Sequence, residues 1–140
     1  MMRRRHFDVL LPWPPQELSP NHKKVHWRIR QKIVRSYRAK ARFLTHEAAL
    51  KKRVRAVVGQ VNIEFHFYPP NNARRDEDNL LATMKAGIDG IADAICVNDF
   101  FFHYKEMTIH GACPEGKVLA RVSFLQKTTP RRAKGDRDEG

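Results

Sequence analysis

Asp76, Glu77 and Asp78 stand in a row behind Arg74 and Arg75 and ahead of Asn79, in a chain of net charge +12. Adjoining carboxylates raise one another's pKa, so grouping three of them is costly unless something positive offsets them. Aimed at a nucleic acid, they would repel it unless a divalent cation came between. Hard cations such as Mg²⁺ take carboxylate oxygens and keep several waters. Held by two or three Asp side chains, such a cation can activate water and stabilise charge developing on a phosphodiester. The chemistry these residues suggest is metal-dependent cleavage of nucleic acid. The competing reading is structural: Asp is a preferred helix N-cap, and acids in a first turn suit the helix dipole. Capping accounts well for one aspartate and less well for two. Glu77 points away from its neighbours on a helix or a strand, so it drops out of the set.

A third acid, Asp99, follows in Val97-Asn98-Asp99, just before Phe100-Phe101-Phe102. Between Asp78 and Asp99 the periodicity predicts a helix over 78–94, with Leu81, Met84, Ile88, Ile91 and Ile95 on its buried stripe. Such a helix is about 24 Å long. Asp99 can therefore approach Asp78 only if the chain returns through a turn and a strand alongside. Lys85, seven residues after Asp78, comes back to nearly the same angle, and Asp89 lies four further on. Lys85 either pairs with Asp89 across one helical turn or stabilises a pentavalent phosphate or a leaving oxygen. No His/Cys set suits zinc better: His66, His103 and His110 read as strand or hairpin surface residues. Cys96 and Cys113 lack CxxC spacing and read as reduced thiols of a cytoplasmic protein.

The elements that must position these groups are legible in outline. A strand over 7–11 is stopped by Pro12-Trp13-Pro14-Pro15, and a loop runs to about Trp27. A helix over 28–50 carries Ile33, Val34, Tyr37, Ala41, Leu44 and Ala48 on one stripe and Arg35, Arg38 and Arg42 on another. Val61, Ile63, Phe65 and Phe67 alternate with polar residues as in a strand with one buried face, and Pro69-Pro70 ends it. Two strands over 104–110 and 118–125 read as an antiparallel hairpin. The order β-α-β-α-β-β predicts an α/β fold of the α+β type: a single compact domain, with helices packed on a mixed sheet. It spans 7–125, between a basic N-terminal extension at 1–6 and a disordered charged tail at 126–140.

Between His22 and Arg55 thirteen Lys and Arg accompany one acid, Glu47. A solvated face usually mixes both signs; this one reads as a surface for a polyanion, through phosphate contacts and counterion release. Lys23, Lys24, Arg28, Arg35, Arg38 and Arg42, with Arg74 and Arg75, are the candidate DNA contacts. Trp13 and Trp27 either anchor loops or stack on unpaired bases. No stretch approaches the roughly 20 apolar residues of a membrane span, so no membrane partner is expected. The N-terminus leads into a strand-like run rather than a signal-peptide core.

Three elements together resemble the RusA-type Holliday junction resolvases over residues 7–125. They are Leu11-Pro12-Trp13-Pro14-Pro15 followed by Asn21, then Arg75-Asp76-Glu77-Asp78-Asn79-Leu80 opening a helix, then the later Asp99. The resemblance implies a small homodimeric endonuclease that uses Mg²⁺, with Mn²⁺ a substitute, and makes paired nicks in four-way DNA junctions. It implies a role in recombination or repair, of phage or prophage type. Carried over by position, Asp76, Asp78 and Asp99 are its metal-binding catalytic acids, and a two-fold dimer suits a junction with two equivalent strands. One departure stands out. The family's lysine four residues after the second aspartate is here Ala82: either Lys85, the nearest lysine on that side, substitutes, or the role lies elsewhere in the basic surface, or activity is reduced. Two other readings stay open: a non-catalytic basic nucleic-acid-binding module whose acids cap a helix, and a nuclease acting on flaps, forks or other branched DNA.

Overall fold

Phe7, Val9 and Leu11 point to one side of the first strand, β1 (Met2–Pro12), and are all but fully buried. Val61, Ile63, Phe65 and Phe67 do the same on β2 (Val58–Tyr68), and Val118, Ala120, Val122 and Phe124 on β4 (Lys117–Lys127). This period of two gives one apolar sheet face. The helices cover it: α1 (Trp27–Lys51) contributes Tyr37 and Ala41, while α2 (Glu77–Thr83) and α3 (Lys85–Ile95) contribute Leu80, Ile88, Ile91 and Ile95. Full burial of each large apolar side chain contributes about 1.5–3 kcal/mol. The result, a computed structural model that describes residues 2–127, is a single compact α+β domain with a mixed four-stranded sheet.

The sheet order is β1-β4-β2-β3, with β3 (Phe102–Ile109) parallel to β2 and the other neighbours antiparallel. The expected hairpin of the last two strands is therefore absent: β4 lies between β1 and β2, two places from β3. Its cause is the loop between them. His110 N–H donates to Phe67 O at 2.8 Å and Cys113 N–H to Pro69 O at 2.8 Å, so the loop crosses the end of β2 before β4 begins. Gly116 completes the crossing at φ +70°, where a Cβ would lie 2.9 Å from Pro70 and 3.0 Å from the Trp13 side chain; only glycine fits there without strain.

Two boundaries also move. Arg3, Arg4 and Arg5, read from sequence as part of an extension, belong to β1 and pair with Gln126, Leu125 and Phe124 of β4. Gln126 and Lys127 likewise end β4 rather than open a tail, and the rest of the tail, 128–140, lies outside the described residues. Cys96 and Cys113 are free thiols. Among the described residues no helix is long and apolar enough to cross a membrane.

Candidate active site

The helix expected over 78–94 forms in two segments. Asp76 caps the first: its backbone is extended, and its Oδ1 accepts the Asp78 N–H at 3.1 Å. Thr83 Oγ1 donates back to Asn79 O at 2.6 Å, a bond that bends helices, and the path breaks at fully buried Met84. α3 then runs to Ile95 and stops at Cys96, which takes the left-handed conformation (φ 58°, ψ 40°) and turns the chain back. The Asn98 side chain accepts the Phe100 N–H at 2.8 Å, capping a short 3-10 turn over Asp99–Phe101 that leads into β3.

This return carries Asp99 to Lys85. Lys85 Nζ donates to Asp99 Oδ2 at 2.6 Å and to Asp89 Oδ1 at 3.0 Å, so one ammonium joins two carboxylates. The hydrogen bond from Lys85 holds Asp99 below the usual carboxylate range, and those to Asp99 and then Asp89 hold Lys85 above the usual amine range. Of the two alternatives for Lys85, the i,i+4 pair with Asp89 is formed, and the same ammonium also holds Asp99. Burial, with a smaller contribution from the Asp99 charge, pushes the Tyr104 hydroxyl up.

α1 closes the other side of this acid group. Arg38 Nε and Nη2 donate to Asp93 Oδ2 and Oδ1 at 2.7 and 2.9 Å, and Nη1 lies 3.9 Å from Asp89. The guanidinium holds Asp93 below its ordinary range. The approach of the two helices depends on Gly90, where a Cβ would meet Ala41 Cβ at 2.8 Å and Arg42 N at 2.9 Å. Asp89 and Asp93 were not singled out as site residues from sequence. Their signal is the Lys85, Asp89, Asp93 series at four-residue steps, which keeps all three on one side of α3.

The three aspartates expected to share a metal do not form one cluster. Asp76 lines a hollow with Trp13, Asn21, Arg74, Arg75 and Asn79, whereas Asp99 lines another with Arg38, Asp89, Asp93 and Asn98. Asp78 is exposed at the start of α2. Among the described residues no group of three or more His, Cys, Asp or Glu side chains is placed to hold a metal ion. The physical reason is placement: Asp76 and Asp78 open α2, whereas the chain that turns back at Cys96 brings Asp99 only as far as Lys85. The donor chemistry of the Asp89 and Asp99 pair still suits Mg²⁺, which binds through one or two carboxylates and keeps its remaining waters.

Of the candidate DNA contacts, Lys23, Lys24, Arg28, Arg35, Arg42 and Arg74 are exposed. Arg38 and Arg75 have partners within the fold. Arg75 donates to Asn71 O, Ala73 O and Asn71 Oδ1 at 3.0, 2.8 and 2.9 Å, and its guanidinium lies 5.4 Å from the centre of the Trp13 ring. Trp13 packs edge-on against Phe67 and anchors its loop. Trp27 is 59% exposed, and Phe100, beside Asp99, is 82% exposed. His66 shares hydrogen bonds with His110 and Glu64 at 2.8 and 2.7 Å on the sheet face away from the helices.

No family model matches the chain. An uncharacterized protein of Xylella fastidiosa (strain Temecula1) is 40% identical over 92 residues, covering 66% of this chain and 60% of that protein. The chain thus spans under two thirds of the length of the curated relative it matches. Among solved structures, a cyanuric acid hydrolase from A. caulinodans gives a TM-score of 0.44 at 12% identity, over 90% of this chain and 40% of that one. IspF of Plasmodium falciparum gives 0.37 at 9% identity, over 89% and 94%. Likenesses this loose carry no argument about fold or function, so the geometry above is the ground for any assignment.

Proposed function

We propose that the protein is a Mg²⁺-dependent endodeoxyribonuclease acting on branched DNA, with the four-way junction as its substrate. The observation that carries this reading is the Asp89–Lys85–Asp99 bridge. Two carboxylates side by side repel each other unless a cation lies between them, and the Lys85 ammonium lies between these two. Asp89 and Asp99 would hold Mg²⁺, while Asp76 lines a separate hollow at the start of α2. When bound, Mg²⁺ supplies the Lewis acidity that offsets charge developing on a phosphodiester.

The chain's own residues supply the rest. Lys85, freed from one carboxylate, places an ammonium where a leaving oxygen gains charge. Arg28, Arg35 and Arg42 on α1 and Lys23 and Lys24 before it draw in the phosphate backbone without reading sequence. Phe100 and Trp27 offer exposed rings to bases left unpaired at a branch point. A role in recombination or repair, of phage or prophage type, is part of the same proposal.

The test is a synthetic four-way junction incubated with and without Mg²⁺, beside fork, flap and linear duplex controls. Paired nicks in the junction alone support the reading. Equal cutting of fork and junction favours a broader branched-DNA nuclease. Salt-sensitive binding with no cleavage in Mg²⁺ or Mn²⁺ favours a binding module.

A further inference from the structure

The loop after β1 is fastened along α1 by two hydrogen bonds. The Tyr37 hydroxyl donates to Pro12 O at 2.6 Å, and the Arg30 guanidinium donates to Glu17 O. Between loop and helix runs an apolar groove of about 910 Å³, with Pro12, Trp13 and Pro15 on one wall and Ile33, Tyr37 and Phe43 on the other. The fold does not fill it: Phe43, the last α1 residue along it, is 60% exposed. Lys32 and Lys40 also line it from α1, and both are exposed. Among the described residues neither enters an ion pair.

We propose that this groove docks a short acidic segment of a partner protein, one that carries aromatic or branched aliphatic side chains. Two demands select that occupant. The apolar hollow gains free energy from apolar side chains, and the unpaired lysines beside it gain most from carboxylates. A DNA duplex would meet the lysines with its phosphates and leave the groove wet. A neutral apolar segment would fill the groove and leave the lysines unmatched. The wider field favours the same choice: thirteen Lys and Arg accompany one acid between His22 and Arg55, so an acidic chain is drawn in from a distance. Glu17, on the loop wall, is the one acid lining the groove, so the carboxylates of the occupant lie toward α1.

Spacing along α1 sets the size of the segment. From Lys32 to Phe43 the helix rises about 16 Å, which an extended segment of about five residues spans. Lys32 and Lys40 are about 12 Å apart along the axis, so carboxylates about three or four residues apart in that segment reach both. The Tyr37 and Arg30 bonds fix the walls in advance, which lowers the ordering cost of binding. Arg35, Arg38 and Arg42 do not line the groove. This inference does not rest on the nuclease reading, since its test needs neither DNA nor metal.

The experiment selects a displayed library of random peptides of about 12 residues on the full chain, then measures the enriched peptide, fluorescein-labelled, by anisotropy. The enriched peptides combine Asp or Glu at several positions with Phe, Trp, Leu or Ile, and bind with a Kd of about 10 µM. Phe43→Ser weakens binding about tenfold. Lys32→Glu and Lys40→Glu together weaken it about tenfold or more. Both variants keep the wild-type circular dichroism spectrum. Replacing the acids of the peptide by lysine restores its binding to the doubly reversed variant to within about threefold. No enrichment, a consensus lacking either acids or apolar residues, equal binding of labelled polyglutamate, or affinity unchanged by the groove variants overturns the proposal.

Discussion

Lys85 Nζ lies 2.6 Å from Asp99 Oδ2, tying the first residue of α3 to a residue four positions beyond its end. The link exists because the left-handed Cys96 and the capped 3-10 turn reverse the chain. It pairs the nearest lysine to the vacant Ala82 position with the last of the three expected acids.

Lys85→Met removes the ammonium and keeps most of the stem. Rate and stability should then separate. The Lys85 side chain is 64% exposed, so water screens the pair and unfolding free energy should change by less than about 1 kcal/mol. Single-turnover nicking should fall by about 100-fold with junction affinity unchanged. An unchanged rate would reduce Lys85 to a surface ion pair.

Acid should weaken the fold through Asp8, Asp93 and Asp99. Each is held below the usual carboxylate range by a hydrogen-bonded cation: Arg121, Arg38 and Lys85, respectively. A depressed pKa contributes stability that is present above the unfolded value, near 3.9, and lost as pH falls through the folded value. Melting temperature should therefore hold from about pH 7 to 5 and drop below about pH 4. Asp99→Asn should show a shallower acid drop; an identical slope would contradict the pairing.

The two aspartates at the start of α2 should differ. Asp76 caps the helix through its side chain, so Asp76→Ala should cost about 1 kcal/mol while Asp76→Asn, which also caps, should cost little. Asp78 makes no capping bond to the helix, so Asp78→Ala should leave unfolding free energy within about 0.5 kcal/mol of wild type. Denaturant titration of the three variants checks this. Any loss of nicking in Asp78 variants then reports chemistry rather than folding.

Gly90→Ala should destabilise the protein by about 1–3 kcal/mol, because the new methyl meets the α1 backbone and Ala41 with no room to shift. Gly111→Ala, where nothing lies within 4 Å of the added atom, is the control and should be close to neutral. If Gly90→Ala melts with the control, the close approach of α1 and α3 is not required.

The strands and helices were legible wherever one face is buried. Phe7 to Leu11, Val61 to Phe67 and the α1 stripe declare themselves because burial imposes a period. Sheet order did not, since β4 is sent to the far side of β2 by hydrogen bonds from a loop that carries no periodic signal. The helix break was equally hidden: Thr83 bonds back to Asn79, while the apolar pattern runs straight through Met84. At the site, acid and lysine types were readable, but which acid Lys85 holds depended on the reversal at Cys96. A non-glycine residue gives little warning that it will adopt a left-handed turn.

The most direct measurement is nicking of a four-way junction with and without Mg²⁺ by the wild type, Asp99→Asn and Asp89→Asn. The account predicts symmetric paired nicks by the wild type only when Mg²⁺ is present. Both variants should bind the junction at least as tightly, having lost a charge that repels DNA, and should cut it at least about 100-fold more slowly. Cutting by the wild type in a chelator, or by Asp99→Asn at the wild-type rate, would contradict it.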